Sequence, residues 1–301
     1  MNKTPLSQVG RIYKLTVGNV NTGKGFEVQD LTISFEVVKS SDNSKKNANN
    51  ANISIYNLSR DNQAFLERTP YIRATLEVGY IATGLTRIIS GEVVITTTVK
   101  QGDGSTITDM RFEGSYKDLN LSQLSKTIAP NRTCREAIEE IAVSIPEVSR
   151  NVFNGNAINT KLIYGYPLHS SARRSLDDLA KCYNFEWQID NETLYINDLD
   201  GVHTRNTKRV YVLNESSGLI GRPYPVLTSD MSVKKTKGVD RPKLKQLELK
   251  ILLNPTLVAG SAIKIQYEDI DGLYKVDEVR HYGSNASNEW YSDLRVSMLP
   301  T

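Results

Sequence analysis

The sequence has few cysteines, few histidines and no long apolar run, and each scarcity excludes a class of protein. Its 301 residues include two cysteines and three histidines. No two histidines have the spacing of metal ligands, and neither cysteine belongs to a recognisable nucleophile motif. No apolar run approaches the roughly 20 residues of a membrane-spanning helix. The N-terminus lacks the apolar region of a secretory signal. We therefore expect no metal, no cofactor and no membrane insertion.

The two cysteines, Cys134 and Cys182, each lie on a predicted helix. Without a secretory signal, the chain is expected to be made in a reducing cytosol, where disulfides are rare. We therefore expect two free, buried thiols.

The charge balance is also small. Lysine and arginine number 37 against 34 aspartates and glutamates, a formal charge of +3. This excess is too small to indicate a nucleic-acid or membrane partner. With 39% hydrophobic and 24% charged residues, the composition is that of an ordinary globular protein of one to three domains.

A glycine-rich segment near the N-terminus has the spacing of a phosphate-binding loop. It runs from Gly18 to Lys24, but Gly25 occupies the place of the metal-binding Ser or Thr. The residues that follow alternate like a strand, whereas a phosphate-binding loop leads into a helix. We interpret the segment as a hairpin turn.

The N-terminal third is predicted to be β-rich, with one short helix. Apolar and polar residues alternate with the period of two that is typical of half-buried strands. Ser59 is expected to cap the helix before Pro70, and Gly91 is expected to mark a bulge or bend. Strands are predicted over 12–17, 26–28, 31–38, 51–57, 71–80, 86–99 and 106–114. So many strands within one segment favour a barrel or sandwich.

The middle of the chain adds two helices. Thr133 and Glu136 form a predicted capping box, and Ser170 or Ser171 begins a second amphipathic helix. Strands are expected over 119–128, 161–166, 185–189 and 193–196. Asp177 and Asp178 lie in the second helix; adjacent residues on a helix point in different directions, so they cannot act as a catalytic pair.

The C-terminal third returns to alternation. Strands are predicted over 210–213, 244–253, 262–267, 273–281 and 290–298. Asp271-Gly272 is expected to form a tight turn, and the polar run 283–289 a longer one.

Four motifs, taken in order, resemble the baseplate hub proteins of tailed phages. The first is Phe35–Ser59, with the pattern F.V.K…N.A.I.IYNLS. The second combines T..EAIE.IA with SLDDLAK…FEW.ID…LYI, and the third is GLIG.P from Gly218. The fourth spans Leu253–Val296, as LNP.l..G..i.i…GlY.V..v.H.G…W.s.l.v. Hub proteins are trimeric rings that join the tail tube to the central spike, and the N-terminal half of the type VI secretion spike protein is related to them.

The resemblance implies a mainly β, α+β fold. Two tube-like β-barrel domains, 1–117 and 203–301, would flank a small α/β domain, 118–202. It further implies a homotrimer in the virion, within the baseplate of a contractile tail. Expected partners are the central spike, tail tube or tube-initiator proteins and a tape measure protein. DNA would pass through the lumen without specific contacts, and the protein would not be an enzyme.

Two polar loops, Ser40–Asn50 and Lys234–Lys245, are the predicted partner-contact segments. Both have too few apolar residues to fold back onto their own domain, so we expect them to become ordered against a neighbour. The residues chosen from them are Asn43, Lys45, Lys46, Asn49, Lys234, Lys235, Lys237, Arg241 and Lys243.

Two alternatives remain open. One is a β-barrel module that binds nucleic acid or saccharide; against it, no aromatic residues interleave the basic stretch. The other is a tail-associated cell-wall hydrolase, which needs a placed carboxylate pair or a Cys/His or metal cluster that the sequence does not offer.

Overall fold

Strands dominate the computed structural model, which describes residues 8–19, 21–40, 49–113, 119, 122–146, 148–198, 210–226 and 246–299. The helices of this part are α1 (Arg60–Arg68), α2 (Cys134–Val143) and α3 (Ala172–Tyr183). The strands are β1 (Arg11–Asn19), β2 (Gly25–Val28), β3 (Ile33–Ser40), β4 (Asn50–Tyr56), β5 (Ile72–Tyr80), β6 (Gly84–Lys100), β7 (Thr106–Glu113), β8 (Lys126–Ile128), β9 (Arg150–Phe153), β10 (Tyr166–Leu168), β11 (Phe185–Asp190), β12 (Thr193–Asp198), β13 (Tyr211–Leu213), β14 (Leu219–Pro225), β15 (Gln246–Leu252), β16 (Ala262–Tyr267), β17 (Ile270–Ser284) and β18 (Trp290–Met298). The mainly β fold class is confirmed.

Thirteen strands form one large, mostly antiparallel sheet. Its order is β14-β15-β18-β17-β3-β4-β7-β6-β5-β1-β2, with β16 beside β17 and β13 beside β16. Among the described residues the hydrogen-bonded strands do not close into a barrel. The N-terminal and C-terminal strands are continuous with one another through β17 and β3, which pair from Glu278 with Ser40 to Ser284 with Ser34.

The two ends of the chain share one strand order. The N-terminal set runs β3-β4-β7-β6-β5-β1, and the C-terminal set runs β14-β15-β18-β17-β16-β13. When the strands of each set are numbered in chain order and β2 is left out, strands with the same number occupy the same position in the two sets. Neighbours are antiparallel throughout both sets, except that β13 and β16 are parallel where β1 and β5 are antiparallel.

The long strands β6 and β17 also carry matching irregularities. Val94 is an extra residue in β6 relative to β7, and Asp277 is an extra residue in β17 relative to β18. In β6, the last residue that pairs with β5 is Glu92, two positions before Val94. In β17, the last residue that pairs with β16 is Lys275, two positions before Asp277. The two long strands therefore correspond residue by residue around this point.

Three hydrophobic clusters fill the described part of the chain. One lies under the N-terminal strands and also takes in Leu253 and Trp290 from the C-terminal end. Trp290 packs edge-on against Phe35, with ring centroids 5.1 Å apart. A second lies between α2, α3 and the strands β11 and β12, and a third lies within the C-terminal strands. The shared first cluster ties the two ends of the chain together.

Several local predictions are confirmed. Thr133 and Glu136 form the capping box of α2, while Ser59 and Ser171 cap α1 and α3. The glycine-rich segment is a hairpin turn between β1 and β2, in which Asn19 Oδ1 accepts two backbone N–H groups. A Cβ at Gly25 would lie 2.2 Å from the carbonyl oxygen of Val17, so glycine is needed there for close approach to the neighbouring strand.

Other local predictions are wrong. Gly91 stays in register with Ala74; the extra residues of β6 are Ile88, relative to β5, and Val94. The turn predicted at Asp271-Gly272 lies instead at Glu268-Asp269, where Glu268 adopts a left-handed conformation with φ 45°. Local turn chemistry favoured Asp-Gly, but cross-strand register decided the outcome.

The middle segment also differs from its prediction. Of the described residues in the predicted 119–128 strand, Lys126–Ile128 form a strand that pairs with Tyr166–Leu168, and Gln123 forms an isolated bridge with Ser171. Over 162–165 the chain turns, whereas Lys161 forms an isolated bridge and Tyr166 begins β10. Strand β9, at 150–153, was missed; it pairs in parallel with β12 and has little apolar alternation to reveal it.

Candidate assembly interface

Most of the predicted contact residues cannot be placed. Asn43, Lys45, Lys46, Lys234, Lys235, Lys237, Arg241 and Lys243 lie outside the described residues. Asn49 is described, and its side-chain amide donates to the carbonyl oxygen of Ile189 at 2.7 Å. Asn49 therefore contacts the middle segment of its own chain. Its role in partner contacts stays a prediction.

A buried ion pair joins the N-terminal strands to the middle segment. Lys39, at the end of β3, places its Nζ 2.5 Å from Oδ1 of Asp190, at the end of β11. The two side chains are only 5% and 9% exposed. Because the two groups are shielded from water, each charge is stabilised chiefly by the other and not by solvation.

A second contact joins β11 to the C-terminal strands. Lys275 Nζ lies 2.7 Å from Glu186 Oε2, and the lysine is almost completely buried. Beside it, Gln188 donates to the carbonyl oxygen of Ala259 at 3.0 Å. Strand β11 therefore holds both ends of the chain at the place where β3 and β17 pair.

His281 is completely buried on β17 at this junction. Its Nε2 lies 3.1 Å from the carbonyl oxygen of Leu257, which can only accept, so Nε2 carries the proton. Nδ1 then accepts from the hydroxyl of Ser292 at 2.8 Å. Burial, followed by the charge of Lys39, lowers the pKa of His281 to about 3. The ring is therefore neutral near pH 7 and has a structural role.

The outer face of the sheet carries alternating charges that are paired within the chain. Arg280 Nε donates to Glu36 Oε1 at 2.7 Å across the β17–β3 joint. Lys250 lies over the rings of Tyr282 and Tyr291, 5.4 and 5.0 Å from their centroids. In this described part of the sheet, charges of both signs lie side by side.

Among the described residues, Asp177, Cys134 and His281 are buried or half-buried side chains with acid–base or nucleophilic chemistry, and each has a structural setting. Asp177 is half-buried and accepts from Trp187 Nε1 at 3.1 Å; burial raises its pKa. Burial also raises the pKa of Cys134 to about 12, so this thiol is unreactive. Cys182 is exposed, which corrects the prediction of two buried thiols. His281 is the buried ring described above, and His203 lies outside the described residues.

The ranges that the structure describes contain neither a cluster of metal ligands nor a membrane-spanning helix. No three His, Cys, Asp or Glu side chains there come together as metal ligands. No helix there has the length and hydrophobicity to cross a bilayer.

Several strand edges have no partner among the described residues, including the outer edges of β2 and β13; two others belong to β6 and β14. Beyond Glu92, β6 pairs with β7 alone, and it carries the exposed side chains of Val94, Ile95 and Val99. At the end of the sheet, β14 pairs only with β15. Unpaired edges of this kind are places where another chain can add a strand.

The junction residues were missed by sequence reasoning, although one signal was present. Ile33, Phe35 and Val37 are the inward positions of β3, and the next inward position is Lys39. A lysine on the buried face of a strand needs a buried acidic partner. The sequence shows that need, but it does not identify Asp190.

Comparisons of the chain with known proteins support the resemblance at the level of the fold. No protein-family model and no curated protein matches the sequence. The structure is similar to a tail protein from Neisseria meningitidis, with a TM-score of 0.63, 12% identity and coverage of 95% of this chain and 96% of that one. It is similar to the 43 kDa tail protein of prophage MuSo2 from Shewanella oneidensis, with a TM-score of 0.61, 13% identity and coverage of 95% and 98%.

A third similar structure comes from a secretion system. It is an Escherichia coli component of the type VI secretion system that is described as structurally similar to the phage T4 tail proteins gp27 and gp5. The TM-score is 0.57 at 10% identity, over 95% of this chain and 77% of that one. The fold of this chain is therefore that of phage tail and related proteins.

Proposed function

We propose that this chain is the baseplate hub of a phage tail. Three copies would form a ring that adapts the six-fold tail tube to the three-fold central spike. The observation that carries the proposal is the shared strand order of the two ends of the chain, β3-β4-β7-β6-β5-β1 and β14-β15-β18-β17-β16-β13. The tail-protein fold supports the same reading.

The proposed mechanism is geometric. Three chains can meet a six-fold ring only if each supplies two similar surfaces, and the two corresponding strand sets are suited to be those surfaces. The β17–β3 joint would fix the angle between the two sets, and the buried pairs Lys39–Asp190 and Lys275–Glu186 would hold the middle segment against it. A rigid chain of this kind transmits symmetry without catalysis, so we propose a non-enzymatic role.

The domain organisation is part of the proposal. Two tube-like barrel domains, 1–117 and 203–301, would flank an α/β domain, 118–202. The second hydrophobic cluster, whose residues all lie within 118–202, supports the separate middle domain, while residues 117, 118, 202 and 203 lie outside the described residues. Barrel closure would need strands supplied by neighbouring chains.

The proposed partners follow from the position of the ring between the tail tube and the central spike. They are two further copies of the chain, the central spike, the tube or tube-initiator proteins and the tape measure protein, in a contractile tail of the virion. DNA would pass through the lumen without base-specific contacts.

Light scattering of the purified chain tests the proposal. A trimer of the 33.7 kDa chain has a mass of about 101 kDa (3 × 33.7 kDa). If trimerisation needs the spike, the same measurement on the co-expressed complex gives three hub chains per spike trimer. Two or four chains per assembly would contradict the proposal.

A further inference from the structure

The second half of β6 has backbone groups directed away from its own sheet. Gln101 N donates to Ser105 O at 2.8 Å and closes the β6–β7 hairpin, which fixes which residues of β6 bond to β7. Because bonding alternates along an antiparallel pair, the N–H and C=O groups of Thr96, Thr98 and Lys100 point to the open edge.

The side chains along this edge are suited to strand pairing. Val94, Ile95 and Val99 are 39%, 51% and 46% exposed, and between Val94 and Val99 the sequence is otherwise threonine. Lys100 is the one charged residue of the segment 94–100. A long edge that is rich in β-branched residues and poor in charge favours the addition of another strand.

The corresponding edge of β17 is already filled within the chain. Aligned on the extra residues Val94 and Asp277, the segment 95–100 of β6 corresponds to 278–283 of β17. That segment of β17 pairs with β3. By strand order, the counterpart of β3 in the other set is β14, whose outer edge has no partner strand in the part of the chain that the structure describes.

We propose that the open edge of β6 in one subunit pairs, antiparallel, with the open edge of β14 in a second copy of this chain. The contact between subunits repeats the β17–β3 joint within a subunit, so that one continuous sheet runs round the ring. This inference rests on the proposed hub function and names the surface through which its subunits meet.

The pairings across the sheet fix the register of the proposed contact. One row of paired residues runs Glu36–Asn52–Arg111–Ile95, and the corresponding row runs Tyr224–Glu248–Arg295–Glu278. Tyr224 is therefore the counterpart of Glu36. Within the chain, Glu36 pairs with Tyr282, whose counterpart in β6 is Val99. The contact places Val99 of one subunit opposite Tyr224 of the next, and both side chains are exposed in the single chain.

Two prolines distinguish this contact from the joint within the chain. Val226 N donates to Gln246 O at 3.1 Å, so Val226 and Tyr224 direct their backbone groups toward β15. The backbone groups of Pro223 and Pro225, at the alternate positions, therefore point to the open side of β14. Their carbonyl oxygens can accept from the N–H groups of Lys100 and Thr98, but they offer no N–H in return. The contact between subunits therefore has two fewer hydrogen bonds than a full ladder, and it opens before the β17–β3 joint does.

Disulfide crosslinking tests the contact directly. Val99 and Tyr224 would form a pair without backbone hydrogen bonds, with Cα atoms roughly 4.5 Å apart, which suits a disulfide. The test variant is Val99→Cys with Tyr224→Cys, in a Cys182→Ser background that removes the exposed native thiol. Within one chain, β6 and β14 are seven strand spacings apart in the sheet, about 34 Å at ~4.8 Å each, so the crosslink forms between chains.

We expect mild oxidation to give covalent dimers and then trimers on a non-reducing gel. The matched control is Val99→Cys with Val212→Cys, since Val212 is also an exposed strand valine (41%) but lies on β13. The control is expected to stay monomeric on the gel.

The outcomes separate this contact from the hub proposal. A protein that measures as a trimer by light scattering but crosslinks no better than its control overturns the contact and leaves the hub intact. If the chain assembles only with the spike, the oxidation is carried out on the co-expressed complex, and an assembled complex that crosslinks no better than its control overturns the contact. A ladder extending past the trimer supports the contact and contradicts the closed three-fold ring.

Discussion

Replacing Asp190 with asparagine should destabilise the protein strongly, because it removes the charge that compensates buried Lys39. The two side chains are 2.5 Å apart and almost fully buried. Breaking a buried pair by removing one partner typically costs about 3–5 kcal/mol. The matched control is Glu36→Gln, which breaks the Arg280–Glu36 pair, whose side chains are 44% and 42% exposed. Exposed pairs contribute about 0–1 kcal/mol.

Urea unfolding followed by tryptophan fluorescence measures both variants. Trp187 lies on β11 and Trp290 on β18, so single-tryptophan proteins report the middle segment and the main sheet separately. With a urea m-value of roughly 3 kcal/mol/M, Asp190→Asn should lower the midpoint by about 1 M or more. The double variant Lys39→Met/Asp190→Leu removes both charges and should recover most of that loss.

Equal midpoints for Asp190→Asn and Glu36→Gln would refute the reasoning. So would a double variant that is less stable than Asp190→Asn alone. Either result would mean that the ion pair is not what holds β11 against β3.

Three further outcomes are expected. Burial holds the pKa of His281 at about 3, below its unfolded value of about 6.5, so the unfolded state binds more protons between these two pH values. The free energy of unfolding should therefore be full above pH 6.5 and should fall by about 2 kcal/mol by pH 5. If the His281→Gln variant lost stability with pH as steeply as the parent protein, this account would be contradicted. Thr133→Ala should cost about 1 kcal/mol in urea unfolding by removing the N-cap of α2, whereas Thr133→Ser should cost little; equal losses would show that the cap is unimportant. A thiol reagent should label Cys182 alone in the folded protein and both cysteines in urea, and fast labelling of Cys134 in the folded state would contradict its burial.

The local pattern predicted most strands but not how they assemble. The alternation over 262–267 and 290–298 matches β16 and β18 to the residue, because one face of each strand is buried and period two records that burial. Helix starts at Ser59 and Ser171 were also predictable, since the cap is a contact between residues three positions apart.

The joint between β17 and β3 left no local signal. It brings together residues about 240 positions apart, such as Tyr282 and Glu36, and nothing in either strand specifies the other. The correspondence of β6 with β17 was equally hidden, because a shared strand order constrains inward alternation far more than residue identity. Sequence predicted two β-rich ends, and the arrangement of their edges required the structure.

The most direct test of the hub assignment is a cryo-electron microscopy reconstruction of the tail, calculated without imposed symmetry. It should contain three copies of this chain in one ring between tube and spike. Their six strand sets, two from each chain, should lie about 60° apart on the tube-facing side, because they must match the subunits of a six-fold tube. A ring of six copies, or a single strand set from each chain facing the tube, would contradict the account.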